Sequence, residues 1–290
     1  MKILLGNTGR GGEQCIFSSI VHAYRSKVGP DAHIEVTTPP QYWSFWKNNN
    51  DISNWTPIKY EPGDPHEGDP VAALRAYFEC HRRDFDLIEY PCEYGQSQNS
   101  DKSKTTLLQS YQAIKTRIFE YREIERKVWV WPNSQEREIA DDICNDRPAF
   151  ILLSHGANSA KKPLSLNGWE KLAKALGEKG TVCYTGTHGR NHMPADPPIR
   201  GAFDLRGLSY GTLYAIQKSV TAFIGFDSGT AWLLSGMPGM LVTVRNDPFF
   251  PLSNTGIVEM GYRTPGNTFE YETGSKFEDE IIERIMERIR

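Results

Sequence analysis

The apolar run over 221–226 ends abruptly at Asp227-Ser228-Gly229, and a second apolar segment, 231–234, begins at once and stops at Gly236 and Pro238. That pattern predicts a strand, a tight turn and a helix whose first amides point back over the strand's carboxyl end. Unpaired N–H groups and the positive end of the helix dipole make such a turn a seat for phosphate. A small acid, a hydroxyl and a glycine let a diphosphate come close to the backbone.

The same alternation runs through the chain and predicts repeated β-α units with a parallel sheet. A first strand is expected over 2–5, a glycine loop over 6–12, a helix over 13–27 and a second strand over 32–37. A helix over 71–83, a strand over 87–90, a helix over 107–121 and a short strand over 128–131 follow. Turn-formers and charge then dominate 132–148, where a domain boundary is expected. This gives an N-terminal domain over 1–135, a C-terminal domain over 136–275 and a terminal helix over 276–290. The second domain shows strands over 150–154, 182–185, 221–226 and 240–244, with helices over 168–176 and 210–218. Phe277, Ile281, Ile285 and Ile289 recur every four residues, so the last segment is an amphipathic helix that can pack back on the N-terminal domain. Two stretches, 48–70 and 186–201, carry few regular signals and read as functional or mobile loops.

With 290 residues, 39% hydrophobic and 24% charged, the chain can bury cores for two domains. A formal net charge of −3 offers no global basic field for nucleic acid or membrane. The five cysteines are scattered without a C-x-x-C pair, which fits a reduced, cytoplasmic protein without structural zinc. The opening Met-Lys-Ile-Leu-Leu is too short for a signal-peptide core, and no apolar run reaches membrane-spanning length.

Three ordered segments resemble the glycosyltransferase family 9 enzymes that include the ADP-heptose:lipopolysaccharide heptosyltransferases. Lys2-Ile-Leu-Leu-Gly-Asn-Thr-Gly-Arg-Gly-Gly-Glu13 is similar to that family's first strand, glycine loop (Gly11, Gly12) and Gly-Asp at the first helix. His155-Gly-Ala-Asn-Ser-Ala-Lys-Lys162, with Trp169 beyond, resembles its His-Pro-Gly-Ala loop, phosphate lysine and helix tryptophan. Asp204-Leu-Arg-Gly-Leu-Ser209, then a strand, then Asp227-Ser-Gly229, resembles its nucleoside and diphosphate segment.

The resemblance implies an α/β GT-B architecture, in which two Rossmann-like domains face each other across a cleft. It also implies inverting sugar transfer from a nucleotide-diphospho-sugar without a cofactor or a catalytic metal. The donor belongs to the C-terminal domain and a saccharide or lipopolysaccharide-core acceptor to the N-terminal one. The chain departs from the family at three places. Glu13 stands for an aspartate, Gly156 for the loop proline and Trp232 for the histidine of Asp-[Ser/Thr]-Gly-x-x-His. Those changes and the short chain leave room for other acceptors: a hydroxymethylated base in DNA, a protein side chain, or an anionic acceptor meeting the basic 101–127 segment. A non-catalytic nucleotide-sugar-binding module is a further reading. An oxidoreductase does not fit, because Gly9-Arg-Gly-Gly12 lacks the G-x-G-x-x-G spacing.

Within this frame Glu13 is the expected base, since a carboxylate beside a glycine loop can take an acceptor proton. By itself, an acid in a first helical turn also simply stabilises the helix end. Lys162, or its neighbour Lys161, would pair with the diphosphate as a flexible point charge. Asp227, Ser228, Gly229 and Thr230 would cap the helix and donate to phosphate oxygens. Thr185, Gly186, Leu208 and Ser209 are expected beside the nucleoside, because ligands of open parallel sheets lie outside the strands' carboxyl ends. His155 either orients the lysine loop or satisfies a backbone carbonyl, and Trp232 is expected to pack. Trp43 and Trp46 are expected in the core, while Trp55 is open between core packing and stacking on a ligand. Asp84-Phe85-Asp86 mimics a metal-binding Asp-x-Asp but precedes a strand and reads as chance.

Overall fold

The computed structural model describes residues 1–9, 11–58, 70–90, 125–145, 150–154, 164–186, 195–225, 228–245, 257, 263, 268–272 and 278–289. The chain divides into two compact units, Met1–Trp131 and Pro132–Arg290.

The first unit runs β1 (Lys2–Gly6), α1 (Gly11–Val28), β2 (His33–Thr38), a 3-10 turn (Pro40–Tyr42) and the one-turn helix α2 (Trp43–Trp46). It continues through β3 (Asn54–Pro57), α3 (Pro70–Cys80) and β4 (Leu87–Glu89). Its sheet has the order β3-β2-β1-β4, and every pairing is parallel. Connections between parallel strands must cross a sheet face; α1 lies between β1 and β2, the 3-10 turn and α2 between β2 and β3, and α3 between β3 and β4. Ile3, Leu4 and Leu5 of β1 are fully buried, as the continuous apolar strand of a covered sheet should be. A side chain at Gly6 would meet Leu74 and Phe78 of α3 at 2.6 Å, so the glycine lets that helix lie across the strand end.

α1 is buried on nearly all sides, its Ser18 and Ser19 included. The reason is residues 127–131. Ser18 Oγ accepts from the Trp129 amide at 2.9 Å and Ser19 Oγ donates to the Lys127 carbonyl at 2.6 Å. The His22 ring stacks on Trp129 with centroids 3.6 Å apart. The expected strand over 128–131 is therefore an extended strap whose backbone bonds to helix hydroxyls instead of to a ladder. β3 falls inside a stretch that had looked irregular. It is a four-residue edge strand, and its Asn54 and Thr56 side chains bond to the Glu35 carboxylate at 3.3 and 2.9 Å. Such polar residues hide the alternation that marks a strand.

The second unit begins with α4 (Ser134–Asn145). It continues with β5 (Phe150–Ser154), α5 (Leu166–Leu176), β6 (Val182–Thr185), β7 (Phe203–Asp204), α6 (Tyr210–Ile216), β8 (Val220–Gly225), α7 (Gly229–Leu233) and β9 (Met240–Arg245). β10 (Thr268–Glu272) and α8 (Glu278–Arg288) close it. Its six parallel strands have the order β10-β9-β8-β5-β6-β7. Counted from β5, that is the 3-2-1-4-5-6 order of dinucleotide-binding sheets, and it reverses between β5 and β8.

The core packs Leu153, Trp169, Leu172, Tyr184 and Ile224 together with Ile281, Ile282 and Ile285 of α8 and Ile289 just beyond it. The terminal helix thus packs within the second unit. Glu278 fastens it, accepting from the Ser165 amide and hydroxyl at the start of α5 at 2.5 and 2.9 Å. Among the described residues no helix is long and apolar enough to cross a membrane. The expected helix over 107–121 lies outside the described residues.

Candidate functional site

In the first unit the strand order changes direction between β1 and β4, and the glycine loop leaves β1 at that point. Asn7 is fully buried. Its amide donates to the Thr37 carbonyl at 3.1 Å, its Oδ1 accepts from Gly9 N at 2.8 Å, and its Nδ2 donates to the Glu13 carbonyl at 3.2 Å. The Thr8 hydroxyl bonds to the Tyr90 hydroxyl, just beyond β4, at 2.5 Å. Gln14 Nε2 donates to the Gly9 carbonyl at 2.8 Å, and Gln14 Oε1 accepts from the Trp46 indole at 3.0 Å. A side chain at Gly9 would collide with Cβ and Cγ of Glu13. Glu13 therefore leans back over Gly9, whose amide and carbonyl are both bonded down.

Glu13 sits in the first turn of α1, half-exposed, with Gly11 and Gly12 before it. Its position suits both expected roles, helix-end stabilisation and proton acceptance. Burial, and secondly the Glu13 charge, pushes the Cys15 thiol above the ordinary thiol range, so Cys15 is an inert core residue.

In the second unit, Thr185 ends β6 buried and Gly186 follows it. Gly186 O accepts from Gly207 N at 3.1 Å, and Gly207 holds a φ of +79° that suits glycine. Between them Arg206 makes a fork onto Asp204, Nε to Oδ1 at 2.9 Å and Nη2 to Oδ2 at 2.6 Å. Its Nη1 donates to the Asp196 carbonyl at 2.6 Å, and the guanidinium lies over the Tyr184 ring at 5.4 Å. These bonds hold the Asp204 carboxyl far below the usual carboxylate range.

Leu208 and Ser209 come next. Leu208 is partly exposed. Ser209 caps α6, accepting from Thr212 N at 3.1 Å, and donates its proton to Glu136 Oε1 at 2.6 Å. Its hydroxyl is thus held inside the unit. Glu136 itself, buried at 5% exposure, closes a reciprocal cap with Asn133, and was not singled out from sequence. The Asn133-x-x-Glu136 spacing is a capping-box signal that could have located both it and α4.

At the end of β8, Ser228 precedes α7. Its carbonyl accepts from Trp232 N at 3.1 Å, but its Oγ is buried with no hydrogen-bond partner among the described residues. Gly229 and Thr230 are half-exposed beside it. Trp232 is 8% exposed and packs, as expected of it. A buried hydroxyl left unpaired is costly unless something completes it. Lys161, Lys162, His155 and Asp227 lie outside the described residues, as does most of the basic 101–127 segment.

The tryptophans divide. Trp46 is fully buried, as expected, but Trp43 is 52% exposed, against the expectation of a core position. One helical turn buries one side only; Phe45 and Trp46 fill it, and Trp43 instead carries the Lys47 ammonium 4.8 Å above its ring. Trp55 is half-exposed with its indole donating to Thr38 Oγ1 at 2.9 Å. Asp86 of the Asp-x-Asp triplet accepts from the Lys2 amide at 2.8 Å, a structural bond. Among the described residues no three His, Cys, Asp or Glu side chains come together closely enough to hold a metal ion.

No protein-family model matches the chain, and no curated protein sequence matches it. Its fold does match solved structures. The glycosyl transferase family 9 protein of Veillonella parvula superposes with a TM-score of 0.60 at 13% identity, over 100% of this chain and 90% of that one. The E. coli ADP-heptose LPS heptosyltransferase II gives 0.61 at 12% identity, over 100% and 98%. E. coli heptosyltransferase WaaC with ADP gives 0.59 at 10% identity, over the whole of both chains. The chain therefore has the α/β GT-B fold of these glycosyltransferases, in a strongly diverged sequence.

Proposed function

We propose that the chain is an inverting, metal-independent glycosyltransferase that moves a sugar from a nucleotide-diphospho-sugar to an acceptor hydroxyl. In this reading the acceptor oxygen attacks the anomeric carbon from the face opposite the diphosphate. The carbon–phosphate-oxygen bond breaks, the nucleoside diphosphate leaves with the electron pair, and the acceptor proton passes to Glu13. A positioned base of this kind contributes about 10²–10⁴-fold. The leaving diphosphate is met by Ser228, Gly229 and Thr230 and by the Lys162 ammonium, donors that stabilise its growing charge, while Asp227, itself an anion, helps form the binding turn and adds nothing to that stabilisation. Thr185, Gly186 and Leu208 border the nucleoside, with Ser209 setting the shape of that edge.

The observation that carries the reading is the unpaired, buried Ser228 hydroxyl at the carboxyl end of β8. It lies beside the point where the strand order reverses, the place where open α/β sheets bind their ligands. The GT-B fold, shared from end to end with family 9 structures, supports the same assignment. The acceptor is a saccharide by that relationship, with a hydroxymethylated DNA base or a protein side chain as the other hydroxyl acceptors.

The test is a thermal-shift panel of ADP, UDP and GDP with their sugar conjugates, ADP-heptose included, followed by turnover in EDTA. A ligand that binds only the folded chain raises its melting temperature. One nucleoside diphosphate and its conjugate should do so, and transfer should persist with the chelator present. A flat panel contradicts the proposal. A non-catalytic nucleotide-sugar-binding module is the second reading, favoured by Trp232 at the place of the family histidine; binding without any release of nucleoside diphosphate would select it.

A further inference from the structure

The glycine loop contains a buried relay that neither its composition nor its resemblance explains. Gly9 is held on both sides of its backbone, its N–H by Asn7 Oδ1 and its carbonyl by Gln14 Nε2, each at 2.8 Å. The far end of the Gln14 amide accepts the Trp46 indole proton at 3.0 Å. Gln14 and Trp46 are both fully buried. Burying an amide is costly unless each end is bonded, and an apolar residue would fill the space more cheaply. The Gln14 amide also has only one workable orientation. Turned over, it would set Nε2 against the Trp46 donor and Oε1 against the Gly9 acceptor.

What the relay holds is the loop beneath Glu13. The Glu13 side chain lies so close over Gly9 that no Cβ fits there, and the Glu13 carbonyl accepts from Asn7 Nδ2 at 3.2 Å. A shift of the Gly9 peptide would therefore move Glu13. Resting on the assignment of Glu13 as the base, we infer that Gln14 and Trp46 are positioning residues, aiming the Glu13 carboxylate through the Gly9 peptide. A base misplaced by about 1 Å can lose as much as 10²-fold in rate.

The test uses Gln14→Met and Trp46→Phe, which keep most of the volume and remove the bonds, in the wild-type and Glu13→Gln backgrounds. The readout is release of nucleoside diphosphate from ADP-heptose and UDP-glucose with water as the acceptor, and melting temperatures verify folding. Each variant should lower kcat by about 10- to 100-fold with KM for the donor changed by no more than about two-fold. The double variant should be no slower than the slower single one, since both act through one path. Neither should slow the residual rate of Glu13→Gln. Wild-type kcat in both variants, or losses that persist undiminished in the Glu13→Gln background, overturns the inference and leaves the transferase reading intact. No turnover by the wild-type chain overturns that reading and this inference with it. Native-state hydrogen exchange is an arm that needs no variant: the Gly9 amide should be protected, and exchange at an open-loop rate overturns the relay.

Discussion

Ser209 donates its hydroxyl proton to the buried Glu136 carboxylate across 2.6 Å, tying the start of α6 to the start of α4. Glu136 also accepts from the Asn133 amide at 3.0 Å, so one carboxylate secures two helix ends. Gly211 is part of the same arrangement, because a side chain there would collide with the Glu136 carboxylate. A serine at the expected nucleoside edge is in this way a structural clamp first.

Ser209→Ala should accordingly cost about 1–3 kcal/mol, since it strips a cap and leaves a buried carboxylate short of a donor. Chemical denaturation measures that loss, and titration with ADP and UDP should show affinity changed by less than about three-fold. A stable variant with a ten-fold weaker nucleotide would instead make the hydroxyl a direct ligand.

Ser228→Ala should behave in the opposite way. The hydroxyl is buried and has no partner among the described residues, so its removal should leave the unliganded chain as stable as before or slightly more so. A nucleoside diphosphate should bind about five- to ten-fold more weakly, the equivalent of one hydrogen bond. Calorimetric titration and a melting curve on the same sample separate the two effects.

Tyr77 gives the fold an alkaline limit. Burial, and then its 2.9 Å bond to Glu35, pushes its hydroxyl up to about 12, above the ordinary tyrosine value. The folded pKa lies above the unfolded one, so the stabilisation is complete below pH 10 and is lost as pH rises from there towards 12. Melting temperature should fall more steeply across that window in the wild type than in Tyr77→Phe. Equal slopes would show that Tyr77 ionises freely.

Ile285→Ala should cost about 2–5 kcal/mol, because Ile285 is fully buried in the core formed by Trp169, Leu172 and α8. Nucleotide affinity per folded molecule should not change. A surface-like loss under about 0.5 kcal/mol would detach α8 from that core.

Much of this was legible in advance where one periodicity dominates. The apolar runs over 2–5, 150–154 and 182–185 and the four-residue spacing at 277–289 mark elements whose burial is set by their own residues. The elements that escaped are those fastened by neighbours. β3 bonds to Glu35 through polar side chains, residues 127–131 hang from two serines of α1, and β7 has only two residues. Trp43 and Trp46 read alike in sequence; only the one-turn helix between them decides that Trp46 faces Gln14 and Trp43 faces solvent. The start of α7 at 228–230 was visible because a hydroxyl and a glycine follow an apolar strand there. Gln14 was not, because its amide oxygen acts through Trp46, 32 residues away; Glu136 had a local signal in its spacing from Asn133.

The measurement closest to the central claim compares wild type with Glu13→Gln for donor binding and for sugar transfer in parallel. In this account the donor is held by the second unit, so donor affinity should not change, while kcat should fall by at least about 10²-fold. Transfer at the wild-type rate in that variant would contradict it.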